Sequence, residues 1–207
     1  MDQIRFRTLV LDMDETMVSM VGPLIGICQQ MFPERQFKLP KYGRYTQWFN
    51  DYFPVASELE LVKSRMCTEE FYLNLPSNLD PLHGQSMEKF SRMCWSHFDT
   101  IKVVTARVDW CPNPEVISRQ SLAKHGFIDA DRLEVHAVSG QANKLNYAHG
   151  RTLYVDDSLT LADGVARTAM HHMVLVNHPW NDGYPRSSNI TLSTIRKLTE
   201  MVNLVCT

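Results

Sequence analysis

The 207-residue sequence lacks the features that mark several protein classes. Its five cysteines are scattered along the chain and form no C-x-x-C pair: Cys28, Cys67, Cys94, Cys111 and Cys206. This pattern argues against a disulfide framework or a zinc site and is typical of free thiols in a reducing compartment. No apolar run approaches the roughly 20 residues that a membrane-spanning helix needs, and the charged first residues lack the apolar core of a signal peptide. We therefore expect a soluble, cytoplasmic protein.

The sequence also lacks an excess of charge of either sign. Its 21 lysines and arginines nearly balance its 23 aspartates and glutamates, and the formal net charge is -2. This balance disfavours a groove for a nucleic acid polymer or a contact with an anionic membrane surface. A small anionic ligand is still compatible, because a few local cations suffice to bind it. The length and the hydrophobic fraction of 44% suit one folded domain with a large insertion.

Strand-like and helix-like segments alternate along most of the chain. Apolar and β-branched runs predict strands over residues 9–11, 101–105, 133–138, 152–155 and 172–176. Helical spacing and capping residues predict helices over 87–97, 114–126, 158–170 and 192–205. Such an alternation predicts an α/β fold, in which a Rossmann-like, mostly parallel sheet carries helices on both faces.

Residues 17–75 interrupt this alternation. Apolar residues recur at helical spacing over 21–32 and 55–66, and the segment between them is dense in aromatic residues. We interpret the insertion as a small helical cap that packs over the sheet, with a turn-rich hinge at its end. The predicted core therefore comprises residues 1–16 and 76–207, and the predicted cap comprises residues 17–75.

Polar side chains follow the predicted strands, where chemistry sits in open α/β sheets. They are Asp12 and Asp14 after the first strand, Thr105 at the end of the second, Lys144 between the third and fourth, and Asp156 with Asp157 after the fourth. Crowded carboxylates need a counter-ion, and oxygen ligands suit Mg²⁺. A metal, a lysine and backbone donors together offset the charge of a transferring phosphoryl group. The sequence therefore predicts a magnesium-dependent site for phosphoryl transfer.

In this order the motifs resemble those of the haloacid-dehalogenase (HAD) superfamily of phosphatases. The matching segments are Asp12-Met13-Asp14-Glu15-Thr16, Val104-Thr105-Ala106-Arg107, Lys144 within Gln141-Ala142-Asn143-Lys144-Leu145, and Tyr154-Val155-Asp156-Asp157-Ser158. The resemblance implies a Rossmann-like core, a mobile cap, a bound Mg²⁺ and a covalent aspartyl-phosphate intermediate.

The resemblance also implies roles for the two acids of the first motif. Asp12 is expected to be the nucleophile, and Asp14 is expected to protonate the leaving oxygen and then to activate the hydrolytic water. The metal ligands are expected among Asp12, Asp14, Asp156 and Asp157.

The remaining motifs are expected to bind phosphate. The Thr105 hydroxyl and the backbone at Ala106 would hold the phosphoryl oxygens, and Lys144 would neutralise both the phosphate and the nucleophile. Two interpretations of Arg107 are left open, since its side chain can reach the substrate phosphate or pair with a neighbouring acid.

The cap and two further segments resemble the 5'(3')-deoxyribonucleotidases within this superfamily. These segments are Met31 to Phe37, Glu69 to Pro76, and Asn177-His178-Pro179-Trp180-Asn181. The resemblance implies an aromatic surface for a nucleobase, with Tyr45 and Trp48 as stacking candidates and Met20 at a position where that family carries an aromatic residue. Glu15-Thr16 stands where the family has a glycine and an apolar residue, so base and sugar preference stay open.

The leading hypothesis is a phosphoric monoester hydrolase that converts (deoxy)ribonucleoside monophosphates to nucleoside and phosphate. Its partner would be a small molecule, and a homodimer is left open. The alternatives are a protein phosphatase of the polymerase-tail type, a polynucleotide 3'-phosphatase and a nucleotide-binding regulatory protein. A helical insertion that roofs the site disfavours a peptide substrate, and the acidic balance disfavours a polynucleotide.

Overall fold

A six-stranded sheet forms the centre of the computed structural model, which describes residues 6–38, 51–79, 84–185 and 187–206. The strands are β1 (Thr8–Leu11), β2 (Thr100–Thr105), β3 (Glu134–Ala137), β4 (Thr152–Asp156), β5 (His172–Val176) and β6 (Ile190–Ser193). They lie in the order β3-β2-β1-β4-β5-β6, and every neighbouring pair is parallel. The predicted α/β fold with a parallel sheet is confirmed.

The central position of β1 brings the predicted motifs together. Leu11 pairs with Val103 of β2 on one side and with Val155 of β4 on the other. The three strands therefore end at nearly the same level, and the residues that follow them meet at one edge of the sheet.

Helices cover both faces of the sheet. Helices α4 (Met87–His97), α5 (Pro114–Lys124) and α7 (Leu198–Cys206) lie on one face, and α6 (Leu159–Ala166) lies on the other. The larger cluster of buried side chains, the main core, lies under α4, α5 and α7, and a smaller one lies under α6. In β1, Leu9 and Leu11 point into the main core and Val10 points into the smaller one. Because successive side chains of a strand point to opposite faces, a strand covered on both sides is apolar throughout.

The inserted segment has an apolar core of its own. Within its described residues, it contains helices α1 (Val21–Met31), α2 (Ala56–Met66) and the short α3 (Glu69–Leu73). Leu24, Cys28, Phe53, Val62 and Met66 are buried among one another. By contrast, Met17, Val18, Tyr72 and Leu75 are buried in the main core. The division at residues 17 and 75 stays a prediction, and the segment 39–50 lies outside the described residues.

The structure corrects the prediction for the end of the chain. The sequence predicts a helix over 192–205, but Ile190–Ser193 forms strand β6 beside β5, and helix α7 begins at Leu198. Leu192, Ile195 and Leu198 recur at helical spacing, which hides a four-residue edge strand rich in β-branched residues. The predicted helix over 158–170 also ends early, at Ala166. None of the described helices is both long and apolar enough to cross a membrane.

Candidate active site

Three carboxylates meet where β1 and β4 end. Asp12 follows β1, Asp156 is the last residue of β4 and Asp157 comes next; one oxygen of each lies within 4.8 Å of the others. Asp12 and Asp156 are buried, whereas Asp157 is partly exposed. An all-oxygen donor set of this kind fits a hard divalent cation such as Mg²⁺.

Lys144 is the cation built into this group. Its Nζ lies 2.7 Å from Asp12 Oδ1 and 2.6 Å from Asp156 Oδ2, and the side chain is fully buried. Burial disfavours the ammonium, but the two carboxylates outweigh it and raise the pKa of Lys144 above its usual value. When all of these groups are ionised, one ammonium and three carboxylates carry a net charge of -2. One divalent cation would neutralise this charge.

The turn that carries Lys144 is a 3-10 helix over Gln141–Tyr147. It follows Gly140, whose backbone φ of 101° lies in a region that residues other than glycine rarely adopt. This turn brings the lysine back beneath the ends of β1 and β4.

The protonation of the acidic group depends on its burial. Burial raises the pKa of Asp12 to about 7, the nearby Asp156 carboxylate adds to the shift, and Lys144 opposes it. Although residue Asp157 is partly exposed, its carboxyl group is desolvated, and this desolvation and the nearby charges of Asp156 and Asp12 raise its pKa. A divalent cation among these oxygens would offset the burial and keep the carboxylates ionised.

Thr105 is the last residue of β2, which pairs with β1. Its side chain is buried, and its Oγ1 has no hydrogen-bond partner among the described residues. A buried hydroxyl without a protein partner is rare, because leaving it unpaired costs free energy. An oxygen-rich ligand such as a phosphoryl group would satisfy it.

Arg107 pairs with Asp14, as one of the two interpretations left open expects. Its Nε and Nη2 donate to the two Asp14 carboxylate oxygens at 2.8 and 2.5 Å, and its Nη1 lies 3.3 Å from Ser118 Oγ. The guanidinium also lies over the Tyr72 ring at 4.8 Å. Asp14 was expected to contribute to the metal site, but its carboxylate is held by this arginine and is not among the three clustered acids. The planar fork of a guanidinium matches a carboxylate and so competes for both oxygens.

A cavity of about 580 Å³ opens beside these groups. Asp12, Asp14, Ala106 and Arg107 line it, and so does Met20, one of the predicted substrate contacts. The other two, Tyr45 and Trp48, lie outside the described residues. Its larger apolar side chains are Met66, Tyr72, Trp110, Leu159 and Trp180. The volume is in the range of small-molecule sites, which are roughly 300–1,000 Å³.

Comparison with solved structures identifies this architecture. A HAD family hydrolase of Deinococcus radiodurans, with bound phosphate and sodium, matches with a TM-score of 0.54 and 13% identity, over 98% of this chain and 97% of that chain. A subfamily IA HAD-superfamily hydrolase of Geobacter sulfurreducens matches with a TM-score of 0.54 and 12% identity, over 95% and 96%. This chain has the HAD hydrolase fold.

A third structure with the HAD fold is that of Bacillus subtilis YfnB, assigned to the HAD hydrolases and bound to magnesium. Its TM-score is 0.55 at 14% identity, over 96% of this chain and 99% of that chain. No protein-family model and no curated protein sequence matches this chain. The likeness therefore shows the fold, and the residues at the strand ends indicate the chemistry.

Glu15 has a role in this HAD fold that sequence reasoning missed. Its φ of 57° lies in the left-handed region, which glycine adopts more readily than residues with a side chain. The Glu15 carboxylate accepts hydrogen bonds from the backbone N–H groups of Met20 and Val21, both at 2.6 Å, and so caps helix α1. Burial raises the pKa of Glu15 to about 7, against the opposing effect of these hydrogen bonds. An acid just upstream of a helix was the available signal.

The loop after β5 holds one of the clustered acids in place. Trp180 Nε1 donates to Asp157 Oδ2 at 2.8 Å, and Asn181 Nδ2 donates to the Asp157 backbone oxygen at 2.8 Å. The His178 ring stacks on Trp180 at 4.5 Å and its Nε2 lies 2.7 Å from the Glu15 backbone oxygen. The loop stood out in the sequence only for its resemblance, and its contacts to Asp157 were not foreseen.

Proposed function

We propose that this chain is a magnesium-dependent phosphatase that hydrolyses (deoxy)ribonucleoside monophosphates. The observation that carries the proposal is the grouping of Asp12, Asp156, Asp157 and Lys144 where the central strands of a HAD fold end. This grouping joins a carboxylate nucleophile to an oxygen-donor metal site and a buried ammonium.

The first step is phosphoryl transfer to the protein. A carboxylate oxygen of Asp12 attacks phosphorus while the bond between phosphorus and the leaving oxygen breaks, and Asp14 gives that oxygen a proton. The Thr105 hydroxyl and the backbone N–H groups that follow it bind the phosphoryl oxygens, and Lys144 offsets their charge.

The second step regenerates Asp12. A water molecule loses a proton to Asp14 and attacks phosphorus, and the bond between phosphorus and the Asp12 oxygen breaks to release inorganic phosphate. Asp12, Asp156 and Asp157 would hold the Mg²⁺ ion. When bound, the ion supplies positive charge that stabilises the transferring phosphoryl group.

The cavity lining supports a leaving group with a flat ring. Trp110 and Trp180 lie among its walls, and aromatic faces stabilise a stacked base by roughly 1–3 kcal/mol. Stacking on Tyr45 and Trp48, a small-molecule partner and a cytoplasmic location stay predictions.

A phosphate-release assay tests the proposal. The panel contains nucleoside and deoxynucleoside monophosphates, sugar phosphates, a phosphopeptide and a 3'-phosphorylated oligonucleotide, each with Mg²⁺ and with a chelator. We expect release from the monophosphates only when Mg²⁺ is present. Release only from the peptide or only from the oligonucleotide would favour the corresponding alternative, and nucleotide binding without release would favour a regulatory protein.

A further inference from the structure

The Arg107 guanidinium is the second buried cation of the site, and the proposed mechanism does not use it. The residue is only 2% exposed. Burial disfavours its charge, but Asp14 outweighs this effect and raises the pKa of Arg107. A buried ion pair contributes little to stability, because desolvation of both groups offsets their attraction. Stability alone is therefore a weak reason for an arginine at this position.

The contacts of Arg107 restrain it from three directions. Two of its nitrogens donate hydrogen bonds to the Asp14 carboxylate, and the third donates to Ser118 on helix α5. The guanidinium also lies over the ring of Tyr72. Since Ile117 and Leu122 of α5 are buried in the core, the contact with Ser118 ties the guanidinium to a helix packed on the sheet. A fixed planar fork that binds both oxygens also fixes the plane and direction of the Asp14 carboxylate.

We propose that Arg107 is a positioning residue that holds the Asp14 carboxylate on the cavity side of the site, apart from the three clustered acids. This inference rests on the proposed function, in which Asp14 transfers the proton of the leaving oxygen. The competing role for Arg107 is a direct contact with the substrate phosphate. The two roles predict different losses of kcat/KM for different substrates when the guanidinium is replaced.

The discriminating measurement is the dependence of kcat/KM on the leaving group. An alkyl ester such as a nucleoside 5'-monophosphate needs the proton from Asp14, whereas p-nitrophenyl phosphate expels a stable anion. General acid catalysis contributes about 10²–10⁴-fold, so a poorly aimed acid should cost the alkyl ester at least about tenfold. The aryl ester should change by less than about twofold, because kcat/KM reports only the steps through phosphoryl transfer.

Arg107→Lys is the test variant, since it keeps the positive charge and loses the fork. Arg92→Lys is the matched control, because Arg92 also donates through Nε and Nη2 to a carboxylate, that of Glu88, but on the exposed surface. We expect a selective loss for the alkyl ester in Arg107→Lys and no loss in Arg92→Lys. An equal loss for both esters in Arg107→Lys would overturn the positioning role and favour a phosphate contact.

A double-mutant cycle tests whether Arg107 acts through Asp14. In an Asp14→Asn background, the further change Arg107→Lys should leave kcat/KM for the alkyl ester within about twofold, because the group being positioned is gone. Independent, multiplicative losses would contradict the inference.

An unstable Arg107→Lys variant and an inactive wild-type chain each lead to a different conclusion. If Arg107→Lys lowers the thermal midpoint so far that it cannot be assayed, Ser118→Ala removes only the third anchor, and a selective loss of about two- to threefold for the alkyl ester is then expected; an unchanged alkyl ester would refute the role. If the wild-type chain releases phosphate from neither ester, the proposed function itself fails, whereas wild-type turnover with equal losses overturns only the positioning role.

Discussion

Two buried cations serve the same edge of the sheet in different ways. Lys144 lies between Asp12, which follows β1, and Asp156, which ends the neighbouring strand β4, and it contacts one oxygen of each. Arg107 instead binds both oxygens of a single carboxylate, that of Asp14. A lysine is a compact point charge that neutralises its surroundings, and an arginine is a rigid fork that orients its partner. The difference indicates that Lys144 neutralises the charge of its neighbours, whereas Arg107 orients the Asp14 carboxylate.

The two groups also differ in charge balance and access. Lys144 with Asp12, Asp156 and Asp157, here called the lysine group, keeps an excess of negative charge that a divalent cation would balance. The arginine pair is balanced in itself, yet the Asp14 side chain is 22% exposed towards the cavity. The first group therefore suits a metal and a phosphoryl group, and the second suits proton transfer with a bound substrate.

The largest effect should come from removing the nucleophile of the lysine group. Asp12→Asn should lower phosphate release by roughly four orders of magnitude, because an amide cannot form the acyl phosphate. Lys144 keeps Asp156 as its partner, so the fold should persist. Phosphate release and thermal unfolding check both parts. Asp99→Asn, at an exposed pair with Arg7, is the matched control; near wild-type release by Asp12→Asn would contradict the assignment.

Removing the lysine should mainly destabilise the fold. Lys144→Met leaves Asp12 and Asp156 buried without their cation, and loss of one partner of a buried pair costs about 3–5 kcal/mol in the free energy of unfolding. Denaturant unfolding with a chelator present measures this cost. Arg92→Met, at the exposed pair with Glu88, should change stability by less than about 1 kcal/mol. A similar small change in both variants would show that the lysine group does not hold the strand ends together.

Removing the acid of the arginine pair should separate the two chemical steps. Asp14→Asn should slow hydrolysis of an aryl phosphate by roughly a hundredfold, because the water that attacks the phosphorylated Asp12 has lost its base. Since the aryl leaving group needs no acid, phosphorylated protein should accumulate, and rapid-quench mass spectrometry would detect it. Undiminished turnover, or slow turnover without a phosphorylated intermediate, would refute the role of Asp14.

The lysine group could be predicted from the sequence, and the arginine pair only in part. Buried parallel strands appear as apolar runs, and residues after them meet at one edge, so Asp12, Lys144 and Asp156 were found from their order. The partner of Arg107 depends on the direction of a long side chain and on a ring, Tyr72, that returns from the insertion. Sequence spacing does not encode that direction, and two interpretations therefore stayed open.

Local backbone geometry limited the prediction elsewhere. Strand β6 has only four residues, too few for an alternating pattern to outweigh the helical spacing around it. Glu15 caps α1 from a backbone with positive φ, which residues other than glycine rarely adopt, so an acid upstream of the helix was too weak a signal to predict the cap.

Glu15 offers the mildest test, because it is a buried acid at this edge whose carboxylate is bound by two backbone N–H groups. Burial raises its pKa from 4.5 to about 7. The unfolded chain therefore loses this proton first, and the residue's contribution to stability falls as pH rises from about 4.5 to 7. Glu15→Gln keeps an acceptor oxygen and removes the titration, so relative to wild type it should gain about 3 kcal/mol across that window.

Denaturant unfolding at several pH values, with a chelator present, measures this difference. Asp12 and Asp157 titrate in both proteins, so the comparison isolates Glu15. Glu70→Gln, on an exposed surface, controls for the substitution itself. A constant difference between wild type and Glu15→Gln across the window would mean that the two backbone N–H groups stabilise the carboxylate as fully as water does.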